Sequence, residues 1–152
     1  LDAARAFLKT ARERGVGVHL PRDAKVLEPA RGLASLAERA IGDVRPAEAV
    51  VDVGVETCLA YREVLCQAAT VVHTGQMGAA DVDALAEGSA LVAQAITTSA
   101  ERTMAFGART VALLERLDAA RYFRHVSRSG RGALPLFSGT VLPGIESLRS
   151  AP

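Results

Sequence analysis

Three short apolar stretches in the second half of the 152-residue chain each lead into a glycine-bearing turn followed by a helical pattern. They cover residues 69–78, 102–110 and 125–132. In α/β proteins, a parallel strand that ends at glycine and opens a helix presents backbone N–H groups to a phosphate. Three such turns predict a sheet whose carboxyl edge forms a nucleotide site. The glycines of these turns are Gly75, Gly78, Gly107, Gly130 and Gly132.

Arginine occupies positions in the second and third turns where a phosphate site ordinarily has a small residue or a carboxylate. Arg109 could clamp a phosphate in place of a metal, or it could be a solvated residue at the start of a helix. Arg128 and Arg131, with Arg124 nearby, could form an anion site or a docking patch, or simply an exposed loop. The sequence leaves these alternatives open.

No other group of side chains has the spacing of a catalytic or metal site. His19, His73 and His125 lie in predicted strands or at their ends, without a Cys or carboxylate spacing that indicates a metal or a triad, so we interpret them as structural. Ser127 and Ser129 have no base that the sequence pairs with them. We therefore predict no catalytic residue and no metal site in this chain.

The composition indicates a single domain over residues 1–152. Hydrophobic residues make up 49% of the chain and aromatic residues 4%, with no Trp. Such a core of Ala, Val and Leu suits helices packed on a parallel sheet. A net charge of +1 argues against a dedicated nucleic-acid or membrane-surface protein. Cys58 and Cys66 are too far apart on one predicted helix to bridge, and no leader or long apolar run is visible, which favours an intracellular location.

Short apolar strands alternate with longer helical patterns, so right-handed crossovers are expected. The prediction is an α/β fold with a mainly parallel sheet and helices on both faces, a Rossmann-like architecture. Residues 22–48 form an irregular excursion, with a helix at 33–41. The predicted strands are 16–20, 49–53, 70–73, 102–106 and 125–127. The predicted helices are 2–14, 56–68, 81–98 and 110–122.

Taken in order, four segments resemble the later part of the C-terminal, nucleotide-binding domain of the phosphoglycerate kinase family. Residues 9–23 resemble its helix–glycine–strand passage ending in LPVD, and residues 51–57 resemble its LDIGPET turn. Residues 71–78 resemble VVWNGPMG, and residues 125–148 resemble the ending HVSTGGGA…LPGVEAL. The match is collinear over essentially the whole chain. It implies a divergent and truncated member of that family.

The departures from the family pattern fall in the turns. Where the family has GGGDT, Thr110 is retained, but the aspartate that helps to hold the magnesium–nucleotide is replaced by Arg109, which cannot ligate a hard cation. In the third turn, two of the family's three glycines carry side chains. Asp81 resembles the family's ribose ligand in shortened form, but a carboxylate at the start of a helix is more often an ordinary cap. The candidate cofactor-binding residues are Gly75, Gly78, Asp81, Gly107, Arg109, Thr110, Gly130 and Gly132.

Two functional hypotheses follow from the resemblance, because the family's acceptor-binding lobe lies upstream of anything present here. The first is a catalytically degenerate domain that serves as a structural or interaction module of a larger chain or assembly, with no cofactor. The alternative is a fragment of a functional phosphoglycerate kinase that binds ADP or ATP with Mg²⁺ and needs a separate acceptor lobe. In both cases we expect another protein chain or domain to cover the truncated sheet edge. We expect neither a membrane nor a nucleic acid to be a partner.

Overall fold

The computed structural model describes residues 1–99 and 101–149, which form six α-helices and six β-strands. The strands are β1 (Asp23–Leu27), β2 (Ala37–Ala40), β3 (Ala49–Val53), β4 (Thr70–Thr74), β5 (Arg102–Phe106) and β6 (His125–Ser127). The helices are α1 (Asp2–Glu13), α2 (Val55–Leu65), α3 (Glu87–Ser99), α4 (Ala108–Arg116), α5 (Gly130–Phe137) and α6 (Pro143–Arg149).

The second half of the chain contains a parallel sheet in the order β4-β5-β6. Its register aligns Val71 with Thr103 and Ala105 with Val126. The α/β class and this parallel sheet are therefore confirmed. β4 is an edge strand, and it alternates between buried residues and the exposed Val72. Because β4, β5 and β6 point the same way, the turns that follow them meet at one end of the sheet.

The first half of the chain differs from the prediction because it forms a separate antiparallel sheet in the order β2-β1-β3. The prediction of a strand at 16–20 is wrong: this segment has no regular secondary structure and pairs with no strand in the described part of the chain, and Val16 and Leu20 are exposed. The placement of 49–53 in the parallel sheet is also wrong, since β3 runs antiparallel to β1.

The predicted helix at 33–41 is wrong because the second half of this segment forms a strand. A 3-10 turn at Gly32–Ser35 is followed by β2, whose residues alternate between exposed and half-buried. Its charged side chains reach across to other elements: Arg39 donates to Glu48 at 3.2 Å, and Glu38 accepts the Val55 N–H at 2.8 Å. The alternating exposure, and the pairing of Glu38 and Arg39 with Lys25 and Ala24 of β1, fit a strand better than a helix.

Two of the predicted helices are longer than those observed. The pattern 110–122 is interrupted because Asp118 adopts a left-handed backbone with φ of 52°, so α4 ends at Arg116 and a 3-10 turn follows. The pattern 81–98 begins too early, because residues 83–85 form a 3-10 turn and α3 starts only at Glu87. The helices at 2–14 and 56–68 match α1 and α2 apart from their ends.

The main core lies between α2, α3, α4 and the parallel sheet. Among the described residues it consists mostly of Ala, Val, Leu and Ile side chains, as the composition predicted, with Phe123 as its largest ring. Cys58 is buried in this core, Cys66 is exposed, and both are free thiols. No helix in the described ranges is both long enough and apolar enough to span a bilayer.

Two buried carboxylates of the antiparallel sheet accept hydrogen bonds from the N-termini of α2 and α3. Asp23 of β1 accepts the backbone N–H groups of Glu56 and Thr57 at 2.9 and 2.8 Å, together with the Thr57 hydroxyl. Asp52 of β3 accepts the Gly88 N–H at 2.7 Å. Both act as helix caps supplied from a distant strand.

The two carboxyls differ in acidity. Burial acts to raise the pKa of Asp23, but the hydrogen bonds from Thr57 and Glu56 outweigh it, so the pKa lies below its ordinary value. Burial raises the pKa of Asp52 above its ordinary value, although its bonds from Gly88 and Val53 act in the opposite direction. The ionised form of Asp23 therefore stabilises the fold. Burial of Asp52, in contrast, disfavours the ionised form of its carboxyl.

Candidate functional site

The turns after β4, β5 and β6 are joined by hydrogen bonds into one unit. The Gly75 N–H donates to the Thr110 hydroxyl at 2.8 Å, which ties the first turn to the start of α4. The Gly107 N–H donates to the Ser127 carbonyl at 2.9 Å, which ties the second turn to the third. Gly75 and Gly107 have φ values of 107° and 101°, a conformation that side chains rarely adopt, so glycine is required at both positions.

An open groove of about 500 Å³ lies where α4 and α5 begin. A Cβ added to Gly130 would lie 3.4 Å from the Gly107 Cα, so the two helix starts nearly touch. Ser129 caps α5 by accepting the Gly132 N–H at 3.3 Å, whereas no described side chain caps α4, whose N-cap is Gly107. The uncapped N–H groups of α4 therefore remain for water or an anion. The groove is lined by Gly107, Ala108, Arg128, Ser129, Gly130 and Leu134.

The charges around the groove are positive and only partly neutralised. Arg128 donates to both carboxylate oxygens of Glu115, at 2.8 and 2.6 Å. Arg109 is exposed on the first turn of α4, and within the described part of the chain its guanidinium has no ion pair or hydrogen bond. Neither α4 nor α5 has an acidic residue in its first turn. Among the described residues, the first turns of both helices therefore offer no acidic side chain to balance the positive helix ends beside the groove.

This donor set fits a phosphate and does not fit a divalent cation. Mg²⁺ is usually bound through one or two carboxylates together with substrate phosphates. Among the described residues no carboxylate lines the groove, and Glu115, which lies nearby, is engaged by Arg128. In residues 1–99 and 101–149 there is also no cluster of three or more His, Cys, Asp or Glu side chains that could hold a metal ion.

The predicted site residues are only partly brought together. Gly107 and Gly130 line the groove, Arg109 lies beside it, and Gly132 donates to the Ser129 cap. Thr110 is buried, and its hydroxyl holds the Gly75 N–H.

Gly78 and Asp81 lie away from the groove lining. A Cβ on Gly78 would come within 2.3 Å of the Val51 carbonyl, so this glycine allows β3 to pack closely. Asp81 is exposed in the turn that precedes α3 by several residues, so it does not cap that helix. The side chain of Arg131 lies outside the described part of the chain.

Sequence reasoning missed the pairing of Arg128 with Glu115. These residues are 13 positions apart and belong to different elements, so no periodic pattern connects them. It also missed the role of Ser129 as the cap of α5, for which Ser immediately before a helix was the available signal. His73 is buried, as expected of a structural residue, with its ring centroid 6.3 Å from that of Phe123. His125 similarly lies against Phe106.

A parallel sheet whose strands end in glycine turns and open helices around an anion-compatible groove belongs to the α/β class of proteins that bind ligands at the carboxyl ends of their strands. The family model for phosphoglycerate kinase matches residues 1–140. The chain therefore belongs to the phosphoglycerate kinase family, and the resemblance identified in the sequence is confirmed.

Individual relatives agree with this assignment. The chain is 34% identical over 151 residues to the phosphoglycerate kinase of Roseiflexus sp. (strain RS-1). The structure of phosphoglycerate kinase from Coxiella burnetii matches 95% of the chain with a TM-score of 0.89 at 30% identity. That from Pyrococcus horikoshii matches 97% with a TM-score of 0.75 at 23% identity, which shows the shared fold. The chain spans only 38% of the length of the Roseiflexus and Coxiella proteins.

Proposed function

We propose that this chain is the nucleotide-binding portion of a phosphoglycerate kinase, with the phosphates of ADP or ATP bound in the groove between α4 and α5. The observation that carries the proposal is the family match over residues 1–140. The groove supports it, because two helix starts meet there, α4 is uncapped, and Gly107 and Gly130 bring two backbones close together. Backbone N–H groups at such a position are suited to bind phosphate oxygens.

The chain would contribute one half of the reaction. Phosphoryl transfer depends on holding donor and acceptor in line and stabilising the charge of the transferred group. The groove offers positions for the donor, whereas an acceptor site must come from a separate portion of polypeptide, since the chain spans 38% of its relatives' length. The hypothesis of a catalytically degenerate module remains a prediction. The nucleotide-binding proposal and the degenerate-module hypothesis differ in whether the isolated chain binds nucleotide in the groove.

A partner polypeptide would cover the apolar surface at one side of the chain. β4 has an open edge, and α1 has only one buried residue, Ala11. An open edge strand beside exposed apolar side chains is a surface that pairs with further chain. We propose that the occupant is the portion of a phosphoglycerate kinase that this chain does not span. The exposed apolar residues of α1, the following segment and β4 are Phe7, Val16, Val18, Leu20 and Val72.

Titration with ADP tests the nucleotide proposal. We expect saturable binding with a Kd below 1 mM, equivalent to more than about 4 kcal/mol, in at least one of two buffers, one with Mg²⁺ and one without. Gly130→Leu places a side chain in the groove and should weaken binding more than tenfold. Gly144→Leu is the control, because Gly144 has open space around it in α6. Absence of saturation by 5 mM ADP in all buffers, with the fold verified by circular dichroism, would support the degenerate module instead.

Sedimentation tests the partner proposal. Because β4 and α1 are uncovered, the isolated chain should self-associate as its concentration rises from about 1 to 100 μM. Val72→Lys, which puts a charge on the open edge strand, should reduce the association. A dispersed monomer throughout this range would contradict an uncovered docking surface.

A further inference from the structure

We propose that the groove binds nucleotide phosphates without a divalent cation, and that the Arg109 guanidinium supplies the positive charge a metal ion would otherwise provide. This inference rests on the proposed function, since it concerns the same site. Its starting point is a mismatch: Mg²⁺ is usually held through carboxylates, and the described residues that line the groove include none.

Among the arginines whose side chains the structure describes, Arg109 is the one beside the groove whose charge is available. It is the second residue of α4, next to Ala108, which lines the groove. Among the described residues its guanidinium has no partner, and its backbone carbonyl accepts the Gln76 side-chain amide at 3.2 Å. That bond links the backbone at this turn to the first turn, while the arginine side chain remains exposed.

Arg128 lines the groove, but unlike Arg109 its guanidinium is already paired with a carboxylate. Both oxygens of the Glu115 carboxylate accept from it, so the pair is close to neutral. A bidentate arginine–carboxylate pair satisfies the fork that would otherwise recognise phosphate. Arg128 can therefore contribute less charge to a bound anion than Arg109, unless Glu115 is removed.

The position of Arg109 also favours an anionic ligand over an empty site. A positive side chain on the first turn of a helix is repelled by the partial positive charge of the helix end. In α4 no acidic residue in that turn relieves the repulsion. A diphosphate in the groove would accept from the uncapped N–H groups and neutralise Arg109 at the same time, which makes the charge arrangement favourable.

Calorimetric titration of the full 152-residue chain with ADP, in buffers containing either 5 mM MgCl₂ or EDTA, tests the inference. We expect Kd values that agree within threefold in the two buffers and rise as NaCl increases from 50 to 300 mM, since salt screens a charge-based contact. Adenosine, which lacks phosphates, should not bind detectably. Arg109→Gln should weaken ADP binding at least tenfold in EDTA.

Two further variants separate the role of Arg109 from a general effect of charge. Arg12→Gln removes an exposed arginine from α1 and should leave the Kd unchanged. Glu115→Gln releases Arg128 and should tighten ADP binding several-fold in EDTA. Binding that requires Mg²⁺, or an unchanged Kd in Arg109→Gln, would overturn the inference while leaving the proposed function intact. No binding in either buffer would overturn both.

Discussion

Replacing Asp23 with Asn removes one oxygen of the carboxylate that caps α2 and should destabilise the chain by about 2–3 kcal/mol. The Asn oxygen can take over the bonds from Thr57, but its NH₂ group then faces the Glu56 N–H, which donates to the second oxygen at 2.9 Å. One hydrogen bond to a charged group is lost and one backbone donor is left unpaired, each worth about 1–3 kcal/mol, with partial overlap between the two costs. With a urea m-value of about 2 kcal/mol/M, the midpoint should fall by about 1 M.

Urea unfolding followed by circular dichroism at several pH values provides the assay. The native pKa of Asp23 lies below its ordinary value of about 4, so its ionic stabilisation is fully present above pH 4 and is lost as the pH falls through the lower native value. The difference between the wild type and Asp23→Asn should therefore be constant from pH 5 to 8 and shrink towards pH 3. Asp43→Asn, at an exposed carboxylate, should shift the midpoint by less than 0.2 M. An unchanged midpoint in Asp23→Asn, or an undiminished difference at pH 3, would refute the capping role.

Gly54→Ala should lower the free energy of unfolding by more than about 2 kcal/mol, because the new Cβ would lie 2.2 Å from the Asp23 carboxylate. Gly42→Ala, in open space, should leave thermal unfolding nearly unchanged. Ellman's reagent at pH 8 should titrate one thiol per folded chain, because Cys66 is exposed whereas burial raises the pKa of Cys58 to about 11. A second thiol should react only in urea. Two fast-reacting thiols in the folded chain would contradict the burial of Cys58. Burial lowers the pKa of His73, and its Nε2 has no hydrogen-bond partner among the described residues. The unfolded state therefore gains a proton more readily below pH 6.5, and the wild type should lose stability between pH 7 and 5. His73→Phe should weaken that loss in urea titrations, and an identical pH dependence would place the titrating group elsewhere.

Local signals in the sequence were sufficient for the half of the chain that carries the site. The strands predicted at 70–73, 102–106 and 125–127 agree with β4, β5 and β6 to within one residue. Each is a short apolar run that ends at or near a glycine, and each is followed by a helix, so the direction of pairing follows from the crossover rule. Gly107 and Gly130 could be located for the same reason.

The first half depends on contacts that no local pattern contains. β1 and β2 are short and include charged residues such as Lys25, Glu38 and Arg39, so they lack the apolar run by which the other strands were recognised. Their side chains are satisfied by partners far away in the sequence: Lys25 pairs with Glu87, and Glu38 accepts from Val55. Only the three-dimensional arrangement shows these residues to be parts of a sheet.

The caps supplied by Asp23 and Asp52 have a consequence for the order of events in folding. The capped N–H groups are 33 to 36 residues away along the chain, so each cap closes a long loop. α2 and α3 have only 11 and 13 residues, lengths at which an isolated helix is marginal in water. Each helix therefore gains its N-terminal cap only when the antiparallel strands have formed. We expect this dependence to couple the formation of α2 and α3 to that of the antiparallel sheet in one cooperative step.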